Sequence, residues 1–152
     1  MGKIIGFTYD LKSDVPLYAG SPVDQNAEFD SKETIGMIQS AIESGGHTVV
    51  PIGNVHSLLK RLPDLGVDVV FNICEGKQNR NREAQVPILL EMYGIPYLGS
   101  DGLTMSLTLD KIMTKKILIA ESIPTPRHIG IDALDDLIDL DHMVFPMIVK
   151  LR

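Results

Sequence analysis

Three basic side chains stand between two acidic ones along one short stretch of the sequence, Glu75-Gly76-Lys77-Gln78-Asn79-Arg80-Asn81-Arg82-Glu83. Carboxylates accept hydrogen bonds and guanidinium groups donate them, so this loop carries the chemistry for holding a small polar ligand. A second polar stretch, Tyr9 to Asp30, contains Pro16, Gly20, Pro22 and several acidic residues with no apolar period. Each follows an apolar run that reads as a strand. Ligands of open α/β sheets bind beyond the carboxyl ends of the strands, so the two loops are expected to meet on one rim and frame a polar pocket. Each also has a plainer reading, as a solvated charge run and a surface excursion, and the residues alone leave both open.

The elements that would position these loops follow from periodicity. Lys3 to Thr8 is nearly all apolar, as expected for a parallel strand covered on both faces. Ser31 is a candidate N-cap, with Glu33 in the first turn. Ile35, Ile38 and Ile42, with Met37 and Ala41, then fall at helical spacing until Gly45-Gly46. His47 to Ile52 reads as strand two, His47 being a surface residue rather than a ligand. Val55 to Leu65 reads as a short helix and Val67 to Ile73 as strand three. This alternation predicts right-handed crossovers and a parallel sheet. Val86, Leu89, Leu90 and Tyr93 continue at helical spacing, and Ile95 to Leu98 is a short fourth strand. Thr104 to Ser122 reads as one helical block whose Met105, Leu109, Met113 and Ile117 form a core stripe. Ile129 to Ile131 is a candidate strand. Leu134 to Leu140 is a weak acidic helix with Asp132, Asp135, Asp136, Asp139 and Asp141 on a solvated face, and Phe145 to Lys150 is a strand.

Composition narrows the function. Hydrophobic residues make up 44% of the chain and charged residues 22%, enough apolar material for a core. A net charge of -6 argues against nucleic-acid and anionic membrane partners, which call for clustered Lys and Arg. A small-molecule substrate fits better. One cysteine, Cys74, and no zinc-spaced Cys/His pairs suit a reducing compartment. No signal peptide or membrane span of about 20 apolar residues is legible, so the expected location is the cytoplasm. Phe7-Thr8-Tyr9-Asp10 stands where a dinucleotide-binding glycine motif would follow strand one, and there is no Walker A motif.

Six segments in order resemble one family: Phe71 to Gly76, Leu89-Leu90-Glu91, Gly94 to Ser100, Leu109-Asp110-Lys111 with Thr114-Lys115, Ile123 to Pro126, and Phe145 to Lys150. Together they are similar to the N-terminal portion of D-alanine–D-alanine ligase and its relatives in the ATP-grasp superfamily, most closely from Val67 onward. The resemblance implies a Rossmann-like (pre-ATP-grasp) open parallel sheet with helices on both faces over residues 1–122. Residues 123–152 would be a linker and the first strands of an incomplete ATP-grasp small subdomain. It implies an ATP-dependent, ADP-forming ligase acting through an acyl phosphate, with ATP and Mg2+ used by the parent protein and neither held tightly by this chain. Lys111 and Lys150 then contact nucleotide phosphates; an ammonium on a flexible stem suits a phosphate that shifts during transfer. Residues alone make Lys111 a helix-surface lysine. Metal ligands, adenine pocket and oxyanion-stabilising arginine lie beyond Lys150 in that family, so the chain alone is expected to be inactive and to hold no metal. A homodimer through this portion is also implied, with Met92, Tyr93 and Met105 facing either a partner or the core.

The departures bear on the substrate. Those ligases carry a glycine-rich end to strand one and a nearby Glu for the first D-alanine ammonium, where this chain offers Phe7 to Asp10, with Glu28 and Asp30 near the expected place. Glu75 replaces a His, and the following loop is basic rather than glycine-rich. Glu75 beside Arg80 and Arg82 suits the ammonium and carboxylate of an amino acid, or another amine and acid. Two competing readings stay open: a non-catalytic flavodoxin-like binding or regulatory module, and the same domain from another ATP-grasp ligase, such as a carboxylase or a peptide-tail ligase. A phosphoacceptor receiver fits poorly, because strand three ends in Asn72 rather than Asp.

Overall fold

The computed structural model describes residues 1–15, 17–22, 24–77, 79–136 and 144–150. It divides into two compact units, Met1–Ser106 and Leu107–Arg152.

The first unit is a four-stranded, all-parallel sheet made of β1 (Ile4–Tyr9), β2 (Thr48–Gly53), β3 (Val69–Ile73) and β4 (Tyr97–Leu98), in the spatial order β2-β1-β3-β4. The helices α1 (Lys32–Ser44), α2 (Val55–Arg61) and α3 (Gln85–Met92) connect successive strands. Alternate residues of each strand face opposite sides and build two separate cores. Phe7, Val49 and Phe71 pack with Ile35, Ile38 and Ile42 of α1. Ile52, Val70 and Cys74 pack with Val55 and Leu58 of α2 and Val86 and Leu90 of α3. Phe7, Leu58, Val70 and Leu90 are fully buried, each contributing about 1.5–3 kcal/mol of apolar transfer. Helices therefore cover both faces of the sheet, as its near-continuous apolar strands require.

Local signals explain the element ends. Ser31 caps α1, its Oγ accepting from Thr34 N at 3.0 Å, and Asn54 caps α2 through Ser57 N at 3.1 Å. His47 is structural, its Nδ1 accepting from Lys3 N at 3.1 Å. Met37, expected on the apolar face of α1, is instead exposed.

Past β4 the structure departs from the sequence reading. The block from Thr104 to Ser122 is two helices, α4 (Gly102–Leu109) and α5 (Lys111–Ala120). Asp110 breaks it because its carboxylate accepts from Ile112 N and Met113 N, at 3.2 and 3.0 Å, which makes it the N-cap of α5 rather than a mid-helix residue. The expected core stripe is not buried: α5 has no buried residue, and Met113 and Ile117 are exposed. A helical period marks the face that would bury, but burial needs an element lying on that face. Residues 129–131 and 145–150 form no strand, for a strand exists only when paired and no described residue pairs with either run. Of the expected acidic helix, residues 134–136 form one 3₁₀ turn; Asp136 is not a bystander there, since its carboxylate accepts from Asp132 N and Ala133 N at 2.7 and 2.8 Å. Residues 137–140, with Asp139, and Asp141 lie outside the described residues.

Candidate functional site

The strand order decides where a site can form. β1 sits between β2 and β3 and leads to α1 on one face, whereas β3 leads to α3 on the other. Loops that leave neighbouring strands toward opposite faces open a crevice between them, and β1/β3 is that switch point here.

Both polar loops identified in the sequence leave this crevice, and a buried cluster ties them together. Thr8, fully buried at the end of β1, donates from Oγ1 to Asn72 Oδ1 at 2.8 Å, and the same oxygen accepts from Cys74 N at 3.1 Å. Asp10, buried just beyond β1, accepts from Gly76 N through Oδ2 at 3.1 Å. Its carbonyl accepts from Asp30 N at 3.1 Å, and Lys12 N donates to the Asp30 carbonyl at 3.0 Å, closing the long first loop at its base. In the second loop Gln85 clamps Lys77: Oε1 accepts from Lys77 N at 3.1 Å and Nε2 donates to Lys77 O at 2.8 Å. At the rim Arg82 donates to Glu28 Oε2 at 2.7 Å, joining the two loops by side chains as well.

The electrostatics follow from this packing. Burial, then the neighbouring Glu83 and Glu28, push the Glu75 carboxyl up to about 7, against the opposing pull of Arg82. Burial also raises Asp10, opposed by the backbone amides of Gly76 and Glu75 and by the charge of Lys77. The Cys74 thiol is pushed far up by burial and is a poor nucleophile. Arg82 Nε is buried without a hydrogen-bond partner, an uncommon state for a charged donor.

Of the residues singled out in the sequence, Glu28, Glu75 and Arg82 are thus brought together. Arg80 is exposed on the same loop, and Asp30 contributes its backbone to loop closure. Lys111 and Lys150 belong to the second unit and are exposed; Lys111 Nζ donates to Thr108 O at 2.8 Å. Sequence reasoning does not name Asp10 as a site residue: it enters there as part of the run that stands in place of a glycine-rich turn and as the single acid that strand one offers a phosphoacceptor site. A lone acidic residue directly after a buried strand was the available signal. Among the described residues no group of three His, Cys, Asp or Glu side chains is placed to hold a metal ion, and no helix is long and apolar enough to cross a membrane.

No protein-family model matches the chain. It is 39% identical over 93 residues to the D-alanine–D-alanine ligase of Moorella thermoacetica, covering 61% of this chain and 29% of that protein. It is 36% identical over 135 residues to the D-alanine–D-alanine ligase of Pseudomonas entomophila, covering 88% of this chain and 41% of that protein. A crystal structure of the D-alanine–D-alanine ligase from Bacillus anthracis superposes with a TM-score of 0.58 at 25% identity, over 92% of this chain and 43% of that one. A second, of the same enzyme complexed with ATP, shares the fold with a TM-score of 0.55 at 24% identity, over 90% of this chain and 45% of that one. The chain spans less than half the length of these relatives.

A four-stranded parallel sheet with helices on both faces, and charged loops leaving its switch point, defines a protein of the open α/β class. Within that class the chain belongs to the D-alanine–D-alanine ligase family of the ATP-grasp superfamily, of which it represents a partial N-terminal region.

Proposed function

We propose that this chain is the substrate-binding N-terminal part of an ATP-dependent, ADP-forming carboxylate–amine ligase acting through an acyl phosphate. The observation that carries the reading is the pairing of Glu28 with Arg82 across the β1/β3 crevice, beside Glu75. Arg82 Nε, a buried donor with no acceptor, suits a substrate carboxylate. The Glu75 carboxylate, whose neighbours Glu28 and Glu83 add negative charge, suits the ammonium of an amino acid, with Arg80 on the same loop adding positive charge at the rim. Asp30 holds the first loop in place by its backbone.

ATP comes to this reading from the family and from the relative complexed with it. The exposed ammonium groups of Lys111 and Lys150 fit phosphate, and when bound the nucleotide supplies the phosphoryl group that activates a carboxylate. Mg2+ comes to this reading from the family alone, since no group of three His, Cys, Asp or Glu side chains gathers among the described residues. Turnover is proposed to need sequence corresponding to the portion of the relatives that this chain does not span, with the 152-residue chain alone inactive and holding no nucleotide tightly. The location follows the sequence reading, in the cytoplasm. A homodimer is proposed through the exposed side chains of α3, β4 and the start of α4, which include Met92, Tyr93 and Leu103.

The test is ADP release by the longest gene product that carries this sequence, given ATP, Mg2+ and a panel of D- and L-amino acids, with the 152-residue chain run beside it. Amino-acid-dependent ADP from the longer protein alone is the expected result, and the best substrate names the specificity. Release that no amino acid stimulates refutes the ligase reading in favour of a binding module. In the same assay Lys111→Ala and Lys150→Ala are each expected to raise KM for ATP about tenfold or more; unchanged kinetics in both remove these lysines from the phosphate site.

A further inference from the structure

Asp10 touches both halves of the crevice without being exposed in it. Its carbonyl accepts from Asp30 N at 3.1 Å and so fixes the end of the first loop, two residues beyond Glu28. Its carboxylate accepts from Gly76 N at 3.1 Å and also faces the backbone amide of Glu75, fixing the start of the second loop. On its other side Gly76 packs against the backbone of Arg82, which only glycine allows: its φ is +73°, and a Cβ there would lie 2.1 Å from the carbonyl oxygen of Arg82. One residue therefore references Glu28 on one side and Glu75 and Arg82 on the other to a common point. Being only 5% exposed, Asp10 offers a ligand no surface of its own.

We infer that Asp10 is a positioning residue for the candidate substrate site: its carboxylate, clasping the Gly76 amide, sets the separation of Glu28 from Glu75 and Arg82 and thereby the fit of the amino-acid substrate. Two backbone amides, those of Gly76 and Glu75, converge on this carboxylate and oppose the rise that burial gives it. An asparagine keeps an acceptor oxygen for the Gly76 amide but carries no charge for the amides to stabilise, so it restores part of the clasp. The titratable and charged groups facing Asp10 are Lys77 and Asp14, with Glu75 and the Cys74 thiol beside it on the second loop. In this role Asp10 acts on amino-acid binding and leaves nucleotide binding unchanged. The inference rests on the proposed ligase site for its catalytic consequence, while the clasp itself does not depend on that reading.

The experiment has two arms. By NMR on the 152-residue chain, the Gly76 amide proton is expected to follow the titration of the Asp10 carboxyl, and in Asp10→Ala the Glu75 midpoint is expected to fall by about one unit or more toward ordinary glutamate values as its loop opens. A Gly76 amide that ignores Asp10, or a Glu75 midpoint unmoved in Asp10→Ala while the protein stays folded, overturns the inference. The first of these readings needs no variant, so an unfolded Asp10→Ala leaves it decisive. In the longer gene product, Asp10→Ala is expected to raise KM for the amino acid about tenfold while KM for ATP stays within about twofold, with Asp10→Asn recovering part of the loss. An equal rise in both constants points to general structural damage and rejects the positioning role. If the wild-type protein releases no amino-acid-dependent ADP, the ligase reading fails and the NMR arm alone decides the clasp.

Discussion

At the scale of single residues, Glu75 shows how neighbours set chemistry. Its carboxyl is raised to about 7 by burial and by Glu83 and Glu28, so the folded protein holds that proton more tightly than the unfolded chain does. Linkage then requires stability to fall as pH rises from ordinary glutamate values to about 7, the ionised form being the one the fold disfavours. Asp10, raised in the same direction, adds to the slope. Glu75→Gln is expected to melt higher than the wild type at about pH 7.5 and close to it at about pH 5, in thermal scans at both values. A variant that melts lower than the wild type at the higher pH would show that ionised Glu75 is held by partners strong enough to offset its burial. An ammonium-bearing ligand should favour the ionised form, so binding near neutral pH should release a proton from Glu75.

At the scale of elements, caps decide what periodicity leaves open. The apolar stripe from Met105 to Ile117 reads as one helix, because spacing is blind to an interruption whose side chain is polar. Asp110 ends that continuity by accepting the first amides of α5, and Thr114 Oγ1 donates to Leu107 O at 2.7 Å across the break. Asp110→Ala is expected to cost about 1 kcal/mol and to raise amide exchange at Ile112 and Met113, read by denaturant unfolding and by NMR. Slower exchange at those amides would mean that α4 and α5 merge once the cap is gone. Lys111 begins α5 because of this cap, so its placement is a consequence of Asp110.

At the scale of the molecule, the first unit buries two cores and still displays Ile88, Met92, Tyr93, Leu98 and Leu103. Side chains of this kind supply an interaction surface where they lie together. The homodimer proposed through it predicts a concentration-dependent dimer by sedimentation velocity, and Met92→Glu is expected to shift that equilibrium to monomer without lowering the melting temperature. A wild type that stays monomeric at every concentration, or a variant that dimerises as before, removes this face as the contact.

The order of strands and helices in the first unit was legible in the sequence because each is written locally: apolar runs for β1 and β3, a Ser31 cap and a 3.6-residue period for α1. The two polar loops were legible too, since both follow strands and carry charge. Their joining was not. Asp10 and Gly76 stand 66 positions apart, and Glu28 and Arg82 stand 54 apart. No local pattern encodes such pairs. They meet because β1 and β3 are neighbours whose connections leave toward opposite faces, a property of the assembled sheet. The same limit explains α5 and residues 145–150, where the pattern names an apolar face or a strand but burial and pairing require a partner element. Residue types and periods fixed what this chain can form; the tertiary structure alone decided which side chains share the crevice, because proximity across a sheet is set by strand order and not by distance along the chain.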